Sequence, residues 1–180
     1  MKGVINKGIQ EFALARFGPE TWERIKSLAR CEEPFFAASH DYPDAMTLAL
    51  VQAAAEVTGL PTEMVEIEYG KFMVPNTLKE TYPTYFTLAG RDARTFLRNM
   101  DGIHREATRR IANATPPRLE CETLGEKRLL VHYSSPRKLC GVLRGLILGV
   151  GIHFGQELQL RALSCMRSGD PRCTIEVTFP

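Results

Sequence analysis

The 180-residue sequence has almost no net charge: 23 basic and 21 acidic side chains, spread along the chain, leave a formal +2. Such a balance supplies no field to gather nucleic acid or an anionic membrane, and Arg105, Arg109 and Arg110 read as a solvated helix face. Long hydrophobic runs are also missing. No window approaches the roughly 18 uninterrupted apolar residues of a membrane span, and the residues after Met1-Lys2 enter mixed polar and apolar spacing instead of a secretion signal. A cytoplasmic location is expected. Repeats, low-complexity tracts and flexible linkers are absent, so residues 1–180 read as one unit. His40, His132 and His153 have no evident nucleophile or paired carboxylate, and the chain is not expected to be an enzyme. Five cysteines (Cys31, Cys121, Cys140, Cys165 and Cys173) in a reducing compartment suit free thiols, metal ligands or redox sensors better than a disulfide framework.

What is present is a 44% hydrophobic composition, enough for a sizeable core, patterned in two ways. Residues 3–111 carry helical spacing. Ile5, Ile9, Phe12, Ala13 and Phe17 share one face up to Gly18-Pro19, and Trp22, Ile25 and Leu28 continue it. An alanine-rich helix should start at Pro43 and end at Gly59, followed by a shorter one towards Gly70. Between Asp92 and Ile111, one stripe holds Phe96, Leu97, Met100, Ile103, His104, Ala107 and Ile111. At Thr115-Pro116-Pro117 the helical pattern must stop. Strands are expected at 118–123, 128–133, 157–166 and 174–179, with a helix at about 136–154. The expected fold is α+β: a helical N-terminal lobe (about 1–115), then a four-stranded antiparallel sheet with one long helix (about 116–180).

Chemistry concentrates at two places. His104, on an apolar face, is either a satisfied core residue or a ligand donor. Tyr133, Ser135 and Arg137 would project to one side of an extended segment, offering two hydroxyls and a guanidinium fork to a carboxylate. Pro136 could then open the following helix and set its amides beside that anion. A tyrosine corner with a capping serine explains Tyr133 and Ser135 but leaves Arg137 idle. Gly141, Gly145 and Gly149, spaced by four, allow either a close helix contact or flexibility between lobes. Cys165 and Cys173 span the expected hairpin and Cys140 lies near the start of the adjacent helix, so three thiolates could meet around zinc.

Taken together, Tyr133-x-Ser135-x-Arg137, the histidine of Met100-Asp101-Gly102-Ile103-His104, Thr115-Pro116-Pro117 and the opening Met1-Lys2-Gly3-Val4-Ile5-Asn6-Lys7 resemble the H-NOX family of haem nitric oxide/oxygen binding domains, over nearly the whole chain. The resemblance implies haem b between the lobes. His104 would be the only protein ligand to iron, Tyr133, Ser135 and Arg137 would hold the propionates, and Pro117 would press on and distort the porphyrin. Ile5 and Leu146 match positions that pack on the haem, and Met73, Val142 and Leu143 look like distal wall. Oxygen-binding members carry a distal tyrosine where this sequence has Val142. Nitric oxide is therefore the expected ligand, with carbon monoxide also bound, unless Tyr85 or another donor serves. Nitric oxide would weaken or break the bond to His104, release the strain at Pro117 and move the helix bearing His104. A histidine kinase or cyclic-dinucleotide enzyme is the partner that stand-alone bacterial members imply. Some of those members bind zinc with three cysteines and a histidine; that histidine position is Ala162 here, which leaves His153, Cys121 or water to complete zinc, or else three free thiols or a reversible redox switch. The rival reading is a haem-free, vinyl-reductase-like small-molecule module with structural zinc and His104 in its core. A peroxidase-like enzyme would need a distal acid-base pair, and none is visible.

Overall fold

The computed structural model describes residues 1–109 and 116–180, which leaves Arg110, Ile111 and Thr115, together with the side chain of Ala107, outside the described residues. Helix α1 runs Gly3–Leu28. The expected stop at Gly18-Pro19 is a kink inside it: Gly18 takes φ 82°, and Pro19 restarts the helix where a missing amide costs nothing. Helix α2 (Asp44–Thr58) begins one residue after Pro43 and closes on left-handed Gly59, φ 72°. Helix α3 (Thr62–Met73) passes through Gly70 and continues into a π-helical turn, Val74–Leu78, and the short α4 (Lys79–Thr81). Pro75 lies in that wider turn, which accommodates a residue without an amide donor. Helix α5 (Pro83–Ala89) is an addition to the expected elements. Helix α6 (Ala93–Thr108) is capped by Asp92, which accepts from the Thr95 amide at 2.8 Å.

Strands β1 (Arg118–Thr123), β2 (Arg128–Ser134), β3 (Gln159–Ser164) and β4 (Cys173–Thr178) form one antiparallel sheet in the order β1-β2-β4-β3. The expected α+β class and the four strands are therefore found. Helix α7 (Cys140–His153) follows β2, and its Leu143, Ile147 and Val150 join Leu129, Val131, Ile175 and Val177 in a core beneath the sheet. It starts at Cys140, not Pro136, because Ser135 to Lys138 make a turn (Lys138 amide to Ser135 carbonyl, 3.1 Å) and Lys138 adopts φ 48°.

Two apolar cores result. One gathers Ile9, Phe12, Trp22, Leu50, Tyr69 and Met73 from the first three helices. The other joins the sheet and α7 to Val74, Ala89, Ala93, Phe96 and Leu97. So α5 and α6 pack with the strands although they precede them. Leu78 and Leu146 touch both cores. Among the described residues, no helix is long and apolar enough to cross a membrane.

The cores meet where α3 and α7 cross with their backbones in contact. A Cβ on Gly70 would lie 2.6 Å from the Val142 carbonyl oxygen and 2.7 Å from the Leu146 nitrogen; one on Gly149 would lie 3.0 Å from the Gly70 oxygen. Close packing is what Gly141, Gly145 and Gly149 of α7 provide. Gly70→Ala should therefore cost roughly 2–3 kcal/mol, since only backbone could yield. Gly102→Ala, with nothing within 4 Å of the new methyl, should be neutral or gain up to about 1 kcal/mol of helix propensity. Chemical denaturation of both variants checks this, and equal midpoints would contradict the assigned contact.

Candidate functional site

His104 sits on the inner side of α6, beside Met100 and Ile103, which pack on the second core. Its Nδ1 is buried and has no partner among the described residues. Burial holds the imidazole pKa below its usual value, with Asp101 offsetting this in part. An unsatisfied buried nitrogen is costly in a purely structural histidine, whereas a neutral imidazole is the form that ligates metal. On the opposite side of α6 the arginines are solvated: Arg105 pairs with Asp101 at 3.0 Å and Arg109 with Glu106 at 3.4 Å.

Tyr133 and Ser135 are both buried, and the phenol reaches the Ser135 hydroxyl and the backbone at Leu139. Burial raises the Tyr133 pKa, and the Ser135 contact only partly opposes it. Arg137 is placed differently from expectation. Strand β2 ends at Ser134, so alternation does not extend to residue 137, and the turn sends the guanidinium to α2, where its Nε donates to Asp44 at 2.7 Å. The expected helix N-terminus beside an anion is likewise corrected, since the first turn of α7 carries Cys140. Asp44, which the sequence reading missed, also meets the Met1 ammonium at 2.9 Å. Burial works against its carboxylate, but hydrogen bonds from the ammonium and Arg137 outweigh it and lower the Asp44 pKa. No local signal marks a pair this far apart in sequence.

The other expected residues line the crossing of the helices. Met73 is fully buried on α3, Val142 and Leu143 are buried on α7, and Leu146 bridges the cores. Ile5 packs on the first core, and its carbonyl accepts from the Tyr69 hydroxyl at 2.8 Å. Pro117 is half-buried just before β1. Tyr85 lies on α5 with its ring edge-on to Tyr82. A hydroxyl that sequence reasoning overlooked, Thr77, is fully buried in the π-helical turn after Met73, and it donates to a Glu11 carboxylate oxygen at 2.5 Å.

The sulfurs of Cys140, Cys165 and Cys173 lie within 4.8 Å of one another, and Cys173 donates to Cys140 at 3.2 Å. Burial first, and then the neighbouring thiols, push the Cys140 pKa up to about 12. For Cys165, burial is outweighed by hydrogen bonds from the Arg167 and Ser168 amides and the other thiols, and its pKa falls. The replacement fourth donors lie elsewhere: Cys121 donates to the Leu97 carbonyl at 3.4 Å, and His153 packs edge-on to Phe86 and Phe154. No His, Asp or Glu joins the three sulfurs among the described residues.

The family described as Haem-NO-binding matches residues 2–162. This chain belongs to the H-NOX family. An H-NOX protein from S. oneidensis in the Fe(II)NO state superposes with a TM-score of 0.90 at 23% identity, over 100% of this chain and 99% of the other. An I5F mutant of T. tengcongensis H-NOX gives 0.85 at 27%, covering 99% and 97%. Soluble guanylate cyclase gcy-35 of Caenorhabditis elegans is 26% identical over 82% of this chain, which spans 22% of that protein. The fold is that of an H-NOX domain, a haem-based gas-sensing unit and not a catalytic one. The donors present fit haem: a buried imidazole with an unsatisfied nitrogen, and a phenol, hydroxyl and guanidinium near one strand end.

Asp44→Asn tests how Arg137 is held. The folded-state pKa of Asp44 is lowered, so its stabilisation is complete above the ordinary carboxylate pKa and disappears as pH falls through the lowered value. The pair is partly exposed and screened, so the variant should lose about 0.5–1 kcal/mol at neutral pH. That deficit should shrink below about pH 4. Thermal midpoints of both proteins across pH measure it; a deficit independent of pH would contradict the ion pair.

Proposed function

We propose that this H-NOX domain carries haem b, with His104 as the protein ligand to iron and Tyr133, Ser135 and Arg137 at the propionates, and that it senses nitric oxide. When bound, haem would supply an iron able to take a diatomic gas, with His104 as its protein ligand. In this reading Pro117, Ile5 and Leu146 pack on the porphyrin, while Met73, Val142 and Leu143 form the wall around the gas. The solved relatives do not choose the gas, since they include a nitric oxide state, a carbon monoxide state and an oxygen complex. The wall carries the choice. Val142 offers no donor, so a polar bound dioxygen would go without the hydrogen bond it needs while nitric oxide would not suffer. Carbon monoxide, equally independent of a donor, should also bind.

Signalling would pass through α6. Phe96 on that helix meets Phe86 of α5 at 5.1 Å and Phe154, after α7, at 5.6 Å, so a shift of His104 would be felt by both neighbours. The receiver is proposed to be a histidine kinase or cyclic-dinucleotide enzyme in the cytoplasm. The matched cyclases are about five times longer than the matched part, and their activity is not carried over.

Two measurements test the proposal. His104→Gly should lose haem, or keep it only with added imidazole; full haem content with an unchanged ferrous spectrum would refute the ligand assignment. The ferrous parent protein should keep its spectrum in air and change it on addition of nitric oxide. A stable new species in air would overturn the assignment of the gas.

A further inference from the structure

We propose that Arg167 is a positioning residue for haem retention: backed by Glu66, it holds the left-handed Lys138 turn that carries Ser135 and Arg137. The inference rests on the haem reading above. It starts from a conformation that needs support. Lys138 adopts φ 48°, a region that costs any residue with a Cβ and that glycine enters freely. A strained residue keeps such a conformation only where its surroundings over-determine it. On one side of Lys138 its own amide donates to the Ser135 carbonyl at 3.1 Å. On the other side the Tyr133 phenol reaches the backbone of Leu139. The strained residue therefore lies between contacts of the site.

Its carbonyl is the point of support. It accepts from the Cys140 amide at 2.9 Å and from Arg167 Nε at 3.0 Å. The first bond is local, whereas the second arrives from the hairpin between β3 and β4, where Arg167 lies in a short 3-10 turn, Met166–Ser168. Arg167 is exposed, and Glu66 keeps its guanidinium aimed at the turn. The Glu66 carboxylate, 2% exposed on α3, accepts from Nη2, so one planar fork bonds α3 and the turn together. The second Glu66 oxygen is buried without a partner among the described residues, and a Cβ on Gly141 would lie 2.4 Å from it. Helix α7 thus gives up a side chain to admit a carboxylate that is only half satisfied. Burying an ion pair this way adds little net stability. What the pair supplies is direction, an arginine fixed on the Lys138 carbonyl.

The test follows haem loss from the full chain to excess apomyoglobin. Arg167→Met, with neither donor, should lose haem about tenfold faster than the parent, the effect of one charge-assisted hydrogen bond. That variant leaves the Glu66 carboxylate buried without its cation, so Glu66→Gln/Arg167→Met is measured beside it and should lose haem equally fast. Adding Lys138→Gly to either variant should return the rate to within about threefold of the parent, since glycine holds the turn without support. A role for Arg167 in stability alone would not be relieved by a change at residue 138. Variants that lose haem no faster than the parent, or rapid loss that Lys138→Gly leaves unrepaired, would overturn the proposal while the haem reading stood. A parent chain that takes up no haem would overturn both.

Discussion

Helices α3 and α7 touch backbone to backbone, and most of the site depends on that contact. Gly70 meets the peptide units of Val142 to Leu146, and Gly149 returns the contact one turn later. Each glycine costs a helix about 1 kcal/mol relative to alanine, so Gly70, Gly141, Gly145 and Gly149 together are an expense that only a close approach offsets. The approach fixes how far Met73 on one helix stands from Val142, Leu143 and Leu146 on the other.

The start of α7 is a second constraint, set by five residues. Pro136 and the left-handed Lys138 turn the chain sharply after β2, so the helix begins late and its positive end falls on Cys140. In the sheet register Tyr133 stands opposite Cys173, which brings the thiol cluster against the phenol from the other side. Strand end, turn and helix start therefore hold two chemistries side by side. Arg137 pairs with Asp44 and so ties this junction to α2 in the first core.

The sequence reveals whatever repeats locally. Strands came within two residues of their observed ends because β-branched and apolar residues alternate there, and Gly59 marked a helix end because only a left-handed position needs it. Tyr133, Ser135 and the three thiols were visible through spacing. Asp44 with Arg137, Glu66 with Arg167 and Glu11 with Thr77 were not, since each pair joins residues more than sixty apart and neither member looks unusual alone. The alternation expected through residue 137 stops at Ser134, where the proline and a positive φ replace the strand by a turn, so Arg137 is reached by a turn and not by an extended segment.

The division into two cores bears on how a sensor of this build can transmit. His104 belongs to a helix that packs with the sheet, whereas Met73, Val142 and Ile5 belong to or pack on the first core. On the proposed reading the haem is gripped from both sides, so any change in its tie to His104 is a change between cores and not within one. Packed cores resist gradual deformation and shift as bodies. The glycine crossing is then the place about which they would pivot, because backbone-to-backbone contact leaves few side chains to interlock. Glu66 and Arg167 span the same junction farther out, with Glu66 buried on α3 and Arg167 on the hairpin that carries Cys165 and Cys173. A pivot at the glycines would load that ion pair, since its partners sit on opposite cores and the Glu66 carboxylate, buried while Arg167 is exposed, would lose its charged partner.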